Sequence, residues 1–156
     1  MPADRDDSRE WVVVRGGASG FAQEISLGPH RVKSDEPVAA GGTDSGPSPY
    51  DLLLAALGSC TSMTVSLYAR RRRWPLEAVV VRLRHARVHA ADCADCEEMD
   101  VRIDRIDREI GLQGKLSDEQ RDRLLAIAEK CPVHRSLMAG MLIDSRLADV
   151  GEIGGQ

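Results

Sequence analysis

Gly41-Gly42-Thr43-Asp44-Ser45-Gly46-Pro47-Ser48-Pro49-Tyr50-Asp51-Leu52-Leu53-Leu54-Ala55-Ala56-Leu57-Gly58-Ser59-Cys60-Thr61 runs from a turn-rich segment straight into an apolar one. Its first half closes a Gly-, Pro-, Ser- and Asp-rich loop over residues 34–49, and long ordered loops are often functional. Ser48 suits an N-cap, Pro49 the first helical position and Asp51 the first turn. The helix begun there is expected to reach Arg72, ahead of the Trp74-Pro75 break. At about 100° per residue, Leu53, Ala56, Cys60, Met63, Thr64 and Leu67 share one stripe. Nearly every residue from Leu52 to Gly58 is apolar or small, so the first half is expected to be buried all round. Arg70 to Arg73 close the helix where cations suit its dipole.

Outward from this helix, alternation sets the other elements. Trp11 to Val14, Phe21 to Leu27 and His30 to Lys33 read as three short strands of an antiparallel meander, with Gly28-Pro29 turning the chain. Leu76 to Ala90 alternates, with Val79, Val81, Leu83 and His85 on one face. Met99 to Ile106 gives its hairpin partner across a turn at 91–98, and Gly114 ends the β region. Ser117 and Gln120 predict a capping box opening a second helix, with Leu124, Leu125, Ile127 and Ala128 as its stripe. Cys131-Pro132 breaks that helix. A short helix is expected over 133–139 and a last strand over 141–143. Residues 1–9 read as a loose leader, 10–150 as a single α+β domain and 151–156 as a tail.

The chain has 156 residues, 42% of them hydrophobic, 29% charged and 3% aromatic. That balance excludes wholesale disorder and a fibrous repeat, and calls for an aliphatic core. The net charge of -4 argues against a nucleic-acid partner. No run of about 18 uncharged apolar residues is seen, which argues against a membrane span. The polar start Met1-Pro2-Ala3-Asp4 is no secretory signal, so a cytoplasmic location is expected.

In a cytosolic chain, cysteines are more often reactive or metal-binding than structural staples. Cys60 reads either as a buried core thiol or as a reactive one. Cys131 reads either as an N-cap in a turn or as a thiolate stabilised by free N–H groups at a helix start, with Lys130 and His134 nearby. Cys93 and Cys96 form a C-x-x-C in the hairpin turn. They read as a metal site completed by His85 and His89, or as an exposed thiol pair. No P-loop, dinucleotide fingerprint, H-E-x-x-H helix or nucleophile elbow is present.

The run from Gly41 to Thr61, followed about seventy residues later by Lys130-Cys131-Pro132-Val133-His134, resembles the OsmC/Ohr family. The resemblance covers roughly residues 20–147. Ser34-Asp35-Glu36-Pro37 and the Cys93/Cys96 turn look like its OsmC-like branch. It implies antiparallel sheets packed around a long central helix, in an intertwined homodimer. It also implies a thiol peroxidase acting on organic hydroperoxides, recycled by an external dithiol and needing no cofactor. Cys60 matches the family's peroxidatic cysteine and Cys131 its resolving cysteine. Tyr50 stands where active relatives carry a glutamate ten residues before the first cysteine, and Asp51 is the nearest acid. Both are candidate binding residues across the dimer interface. Ten helical residues rise about 15 Å, so neither touches Cys60 along its own helix. For the family's activating arginine, Arg15 and Arg31 are the candidates.

Overall fold

A computed structural model describes residues 11–89 and 102–153. The leader, the Cys93/Cys96 turn and the end of the tail lie outside the described residues. In chain order the elements are β1 (Val12–Gly16), β2 (Gln23–Leu27), β3 (His30–Ser34), a 3-10 turn (Val38–Ala40), α1 (Pro49–Arg72), β4 (Leu76–His89), β5 (Arg102–Gly114), α2 (Asp118–Ala128), α3 (Pro132–Ala139) and α4 (Val150–Ile153). Two compact units result: Met1–Leu52 with Ile143–Gln156, and Leu53–Leu142.

In the first unit β1, β2 and β3 form the expected meander, antiparallel throughout. Gly28, at φ 57, starts the two-residue turn that sets Leu27 opposite His30, a conformation that costs glycine little. Arg31 Nη1 fastens that turn, donating to the Gly28 carbonyl at 2.7 Å and the His30 carbonyl at 2.9 Å. The loop after β3 wraps around Asp35, which is 2% exposed. Its carboxylate accepts from the Thr43 hydroxyl at 2.6 Å, the Ser45 hydroxyl at 2.9 Å, and the amides of Glu36, Thr43 and Ser45. These bonds, the Thr43 hydroxyl first, hold the carboxyl well below the usual carboxylate range against the opposing effect of burial. A Cβ at Gly42 would collide with the Glu36 carbonyl, so the loop can close only over glycine. The helix start is as expected: the Asp51 amide donates to Ser48 Oγ at 3.2 Å, and Asp51 Oδ2 accepts from the Ser48 amide at 2.9 Å.

In the second unit the buried stripe of α1 is Leu57, Thr61, Val65 and Ala69, spaced four apart. The stripe expected from the sequence is displaced around the axis. Ala56 is exposed, and so are Met63 (69%) and Leu67 (43%). The all-round burial expected for the first half is likewise absent within this chain. Apolar residues surround this helix, so periodicity gives no preferred face, and the elements packed on it choose one. Val65, Ala69, Leu124 and Ala128 form the core, with Tyr68, Trp74, Leu76, Val79, Ile110, Leu112 and Leu116 against it. α1 ends in a Schellman pattern: Trp74 N donates to the Ala69 carbonyl, Arg73 N to that of Arg70, and Arg73 takes φ 56. By length and composition α1 is apolar enough to cross a bilayer, so the sequence argument against a span does not hold for this helix.

β4 and β5 pair antiparallel, with Val79 opposite Leu112, Val81 opposite Ile110 and Leu83 opposite Arg108. The inward face Val79, Val81, Leu83 and His85 is the one the alternation predicts. β5 is longer than expected, because the alternation continues through Ile110 and Leu112 to Gly114. On the outer face Arg82 pairs with Glu109, and Arg84 and Arg105 with Asp107. Ser117 and Gln120 close the predicted capping box on α2. Its Leu125, placed on the apolar stripe by the sequence, is 53% exposed. The strand expected over 141–143 does not form. Among the described residues no strand edge pairs with it, and Leu142 is 98% exposed.

Candidate active site

Cys60 lies on α1 beside the buried stripe, partly exposed. Thr64 Oγ1 donates to its carbonyl at 2.8 Å. Cys131 is fully buried and is the N-cap residue of α3, with Pro132 at the first helical position. Its amide donates to the Ala128 carbonyl at 3.2 Å and its carbonyl accepts from the Arg135 amide at 3.0 Å, so α2 and α3 fix the residue from both sides. Both thiols are free, and each bears on the titration of the other.

Burial pushes the Cys60 thiol up, and its neighbour Cys131 adds to the rise; the Val133 amide and Thr64 hydroxyl act in the opposite sense. Burial also raises the Cys131 thiol, but it is outweighed. The Cys60 thiol, the His134 amide, the Thr61 hydroxyl and the Val133 amide together bring Cys131 below its ordinary value. The Cys131 side chain makes no N-cap hydrogen bond. The pair holds one negative charge more readily than two, because adjacent thiolates repel.

A polar chain leads away from the sulfurs. Arg108 on β5 donates from Nη1 to Thr61 Oγ1 at 3.0 Å and from Nη2 to Glu129 Oε1 at 2.8 Å. Its side chain is 9% exposed. The other Glu129 oxygen faces His134 Nε2 at 3.1 Å. Thr61, fully buried, donates to the Leu57 carbonyl at 2.7 Å.

Sequence reasoning did not single out Arg108, Thr61 or Glu129. A signal for Arg108 was present: in Ile106-x-Arg108-x-Ile110 it takes an inward place between apolar residues, where a cation must find partners. The arginines named from the sequence lie in the other unit. Arg15 is set opposite Glu24 in the sheet, and Arg31 is spent on the β2–β3 turn. Tyr50 and Asp51 also belong to that unit; Asp51 is engaged by Ser48, which lowers its carboxyl. His85 faces Asp104 at 2.8 Å, and the side chain of His89 lies outside the described residues. Among the described residues no group of three or more His, Cys, Asp or Glu gathers to hold a metal.

The family model described as OsmC-like protein matches residues 42–146. The chain belongs to the OsmC-like family. No curated protein matches the sequence significantly. Among solved structures, the OsmC-like protein from Mycoplasma pneumoniae is similar at 16% identity and a TM-score of 0.66, over 85% of this chain and 89% of that one. An organic hydroperoxide resistance protein OsmC from Legionella pneumophila is similar at 17% identity and 0.58, over 81% and 88%. An organic hydroperoxide resistance protein from Elizabethkingia anophelis follows at 14% and 0.60, over 83% and 89%. At these identities the likeness is one of fold: mixed α+β, with antiparallel sheets and a long helix. The OsmC-like matched region contains both Cys60 and Cys131 and begins after the three-stranded sheet.

Proposed function

We propose that this OsmC-like chain is a thiol-dependent peroxidase that reduces organic hydroperoxides to alcohols. The observation that carries the reading is the pairing of Cys60, partly open to solvent, with a buried Cys131 some seventy residues further on. A peroxide meets the more accessible sulfur. The Cys60 thiolate attacks the distal oxygen; the S–O bond forms as the O–O bond breaks, and the alkoxide leaves and takes a proton. Cys60, oxidised by two electrons, is then a sulfenic acid. The Cys131 thiolate attacks Cys60 Sγ, the S–S bond forms, and hydroxide departs as water on taking a proton. An external dithiol restores both thiols by exchange, ending as a disulfide itself.

Ala56 and Met63 lie one turn before and after Cys60, apolar surroundings that suit an alkyl hydroperoxide better than hydrogen peroxide. Exposed apolar side chains on both units, Trp11 just before β1, Val12 and Val14 on it, and Met63 and Leu67 on α1, support a homodimer as the working form. The dithiol partner and the cytoplasmic setting belong to the same proposal.

The test is consumption of cumene hydroperoxide with a dithiol reductant. Cys60→Ser should abolish it. One equivalent of peroxide should leave the wild-type chain about two daltons lighter, with the loss in a Cys60–Cys131 crosslink, since one new bond removes two hydrogens. Unchanged consumption in Cys60→Ser overturns the reading and leaves a non-catalytic binding role on this scaffold. Zinc that copurifies and is lost in Cys93→Ser would instead favour a metal-binding protein.

A further inference from the structure

We infer that Arg108 is a positioning residue for the thiol pair: its guanidinium ties Thr61, the neighbour of Cys60 on α1, to Glu129, two residues before Cys131, and places a positive charge beside a buried site that must carry a thiolate. The inference deepens the proposed thiol chemistry and rests on that pair being reactive.

Arg108 takes the inward place opposite Leu83, between Ile106 and Ile110, where an unpaired guanidinium would be costly. Glu129 holds Nη2, which leaves Nη1 aimed at Thr61 Oγ1. Thr61 gives its one hydroxyl proton to the Leu57 carbonyl at 2.7 Å, and the same hydroxyl acts to lower the Cys131 thiol. The guanidinium occupies a lone pair of that oxygen, so the hydroxyl stays a donor. The titratable and charged groups that meet here are Cys60 from α1, Arg108 from β5, Glu129 from the end of α2 and His134 from α3. Lys130 and Arg135 adjoin them in sequence and are exposed. One Glu129 oxygen accepts from Arg108 and the other faces His134. An opposite charge within contact distance typically moves a thiol by about one to three pH units, and one hydroxyl removed the lower figure applies.

The experiment titrates thiolate ultraviolet absorbance in the reduced, full-length chain, with Cys93→Ser and Cys96→Ser leaving two thiols. Arg108→Gln should move the thiolate midpoint up by about one pH unit, an approximately tenfold loss of thiolate below the midpoint. Arg108→Lys should restore part of it. Thr61→Val, which keeps the cation, should move the midpoint in the same direction. Should Arg108→Gln fail to fold, as judged by circular dichroism, the lysine and valine variants decide. An unmoved midpoint in Arg108→Gln, or in both remaining variants, overturns the inference. A shift in Arg108→Gln without one in Thr61→Val overturns the route through threonine. No peroxide enters this measurement. A chain that shows the shifts yet leaves peroxide untouched sinks the peroxidase reading alone, and the opposite result sinks only the role of Arg108.

Discussion

Oxidation of the thiol pair should change the stability of the second unit by an amount that the chain itself fixes. A Cys60–Cys131 bond would close a loop of about seventy residues. Closing a loop of that length removes roughly 4 kcal/mol of conformational freedom from the unfolded chain, on the usual chain-entropy relation. Native-state adjustment subtracts from this figure, so about 2 to 4 kcal/mol is the expected gain. For a chain of this size the urea slope is about 2 kcal/mol per molar, which converts the gain to a midpoint shift of about 1 to 2 M. The assay is urea unfolding of the reduced chain and of the chain treated with one equivalent of organic hydroperoxide. Trp74, packed against the core of this unit, is the fluorescent reporter, with the exposed Trp11 replaced by Phe. Cys93→Ser and Cys96→Ser exclude other crosslinks. An unmoved midpoint after oxidation would refute the reasoning. So would a shift of the same size in Cys131→Ser, where the loop cannot close.

Two further outcomes follow from packing and charge. Leu124 is fully buried in the core, so Leu124→Ala should cost about 3 kcal/mol from lost burial and the cavity left behind. At about 2 to 4 °C per kcal/mol, a thermal melt should fall by roughly 6 to 12 °C; a fall below about 2 °C would contradict the core assignment. Asp35 is held below its ordinary value of 3.8 when folded. Its contribution is therefore full well above that value and fades as pH falls from about 5 toward the folded value. Urea midpoints at about pH 6 and about pH 3 should converge in Asp35→Asn relative to wild type, and an unchanged pH difference would show that the carboxylate contributes nothing.

Local signals carried much of this architecture. Ser48, Pro49 and Asp51 mark the start of α1, and Ser117 with Gln120 marks α2, because caps act over three residues and need no tertiary information. The inward face of β4 was equally plain, since alternation has only two phases. The buried face of α1 was not, because Ala56, Met63 and Leu67 are as apolar as Leu57 and Val65, and only the packed neighbours separate them. The strand read at 141–143 had apolar residues but no edge to join. At the site, each cysteine alone left two readings open. A family resemblance joined them, whereas spacing along the chain could not. Arg108 escaped notice because its meaning depends on Thr61 and Glu129, 47 and 21 residues away, converging on one guanidinium.

Cys131 is mounted in the backbone like a pin in a hinge, one end tied to the Ala128 carbonyl and the other to the Arg135 amide. Ala128 is part of the core, so any pull on the sulfur is handed directly to the packing of Val65 and Leu124. In such a mounting the electron count at one atom becomes a mechanical load on the interior, and methyl resonances of that interior should report which form the sulfur is in.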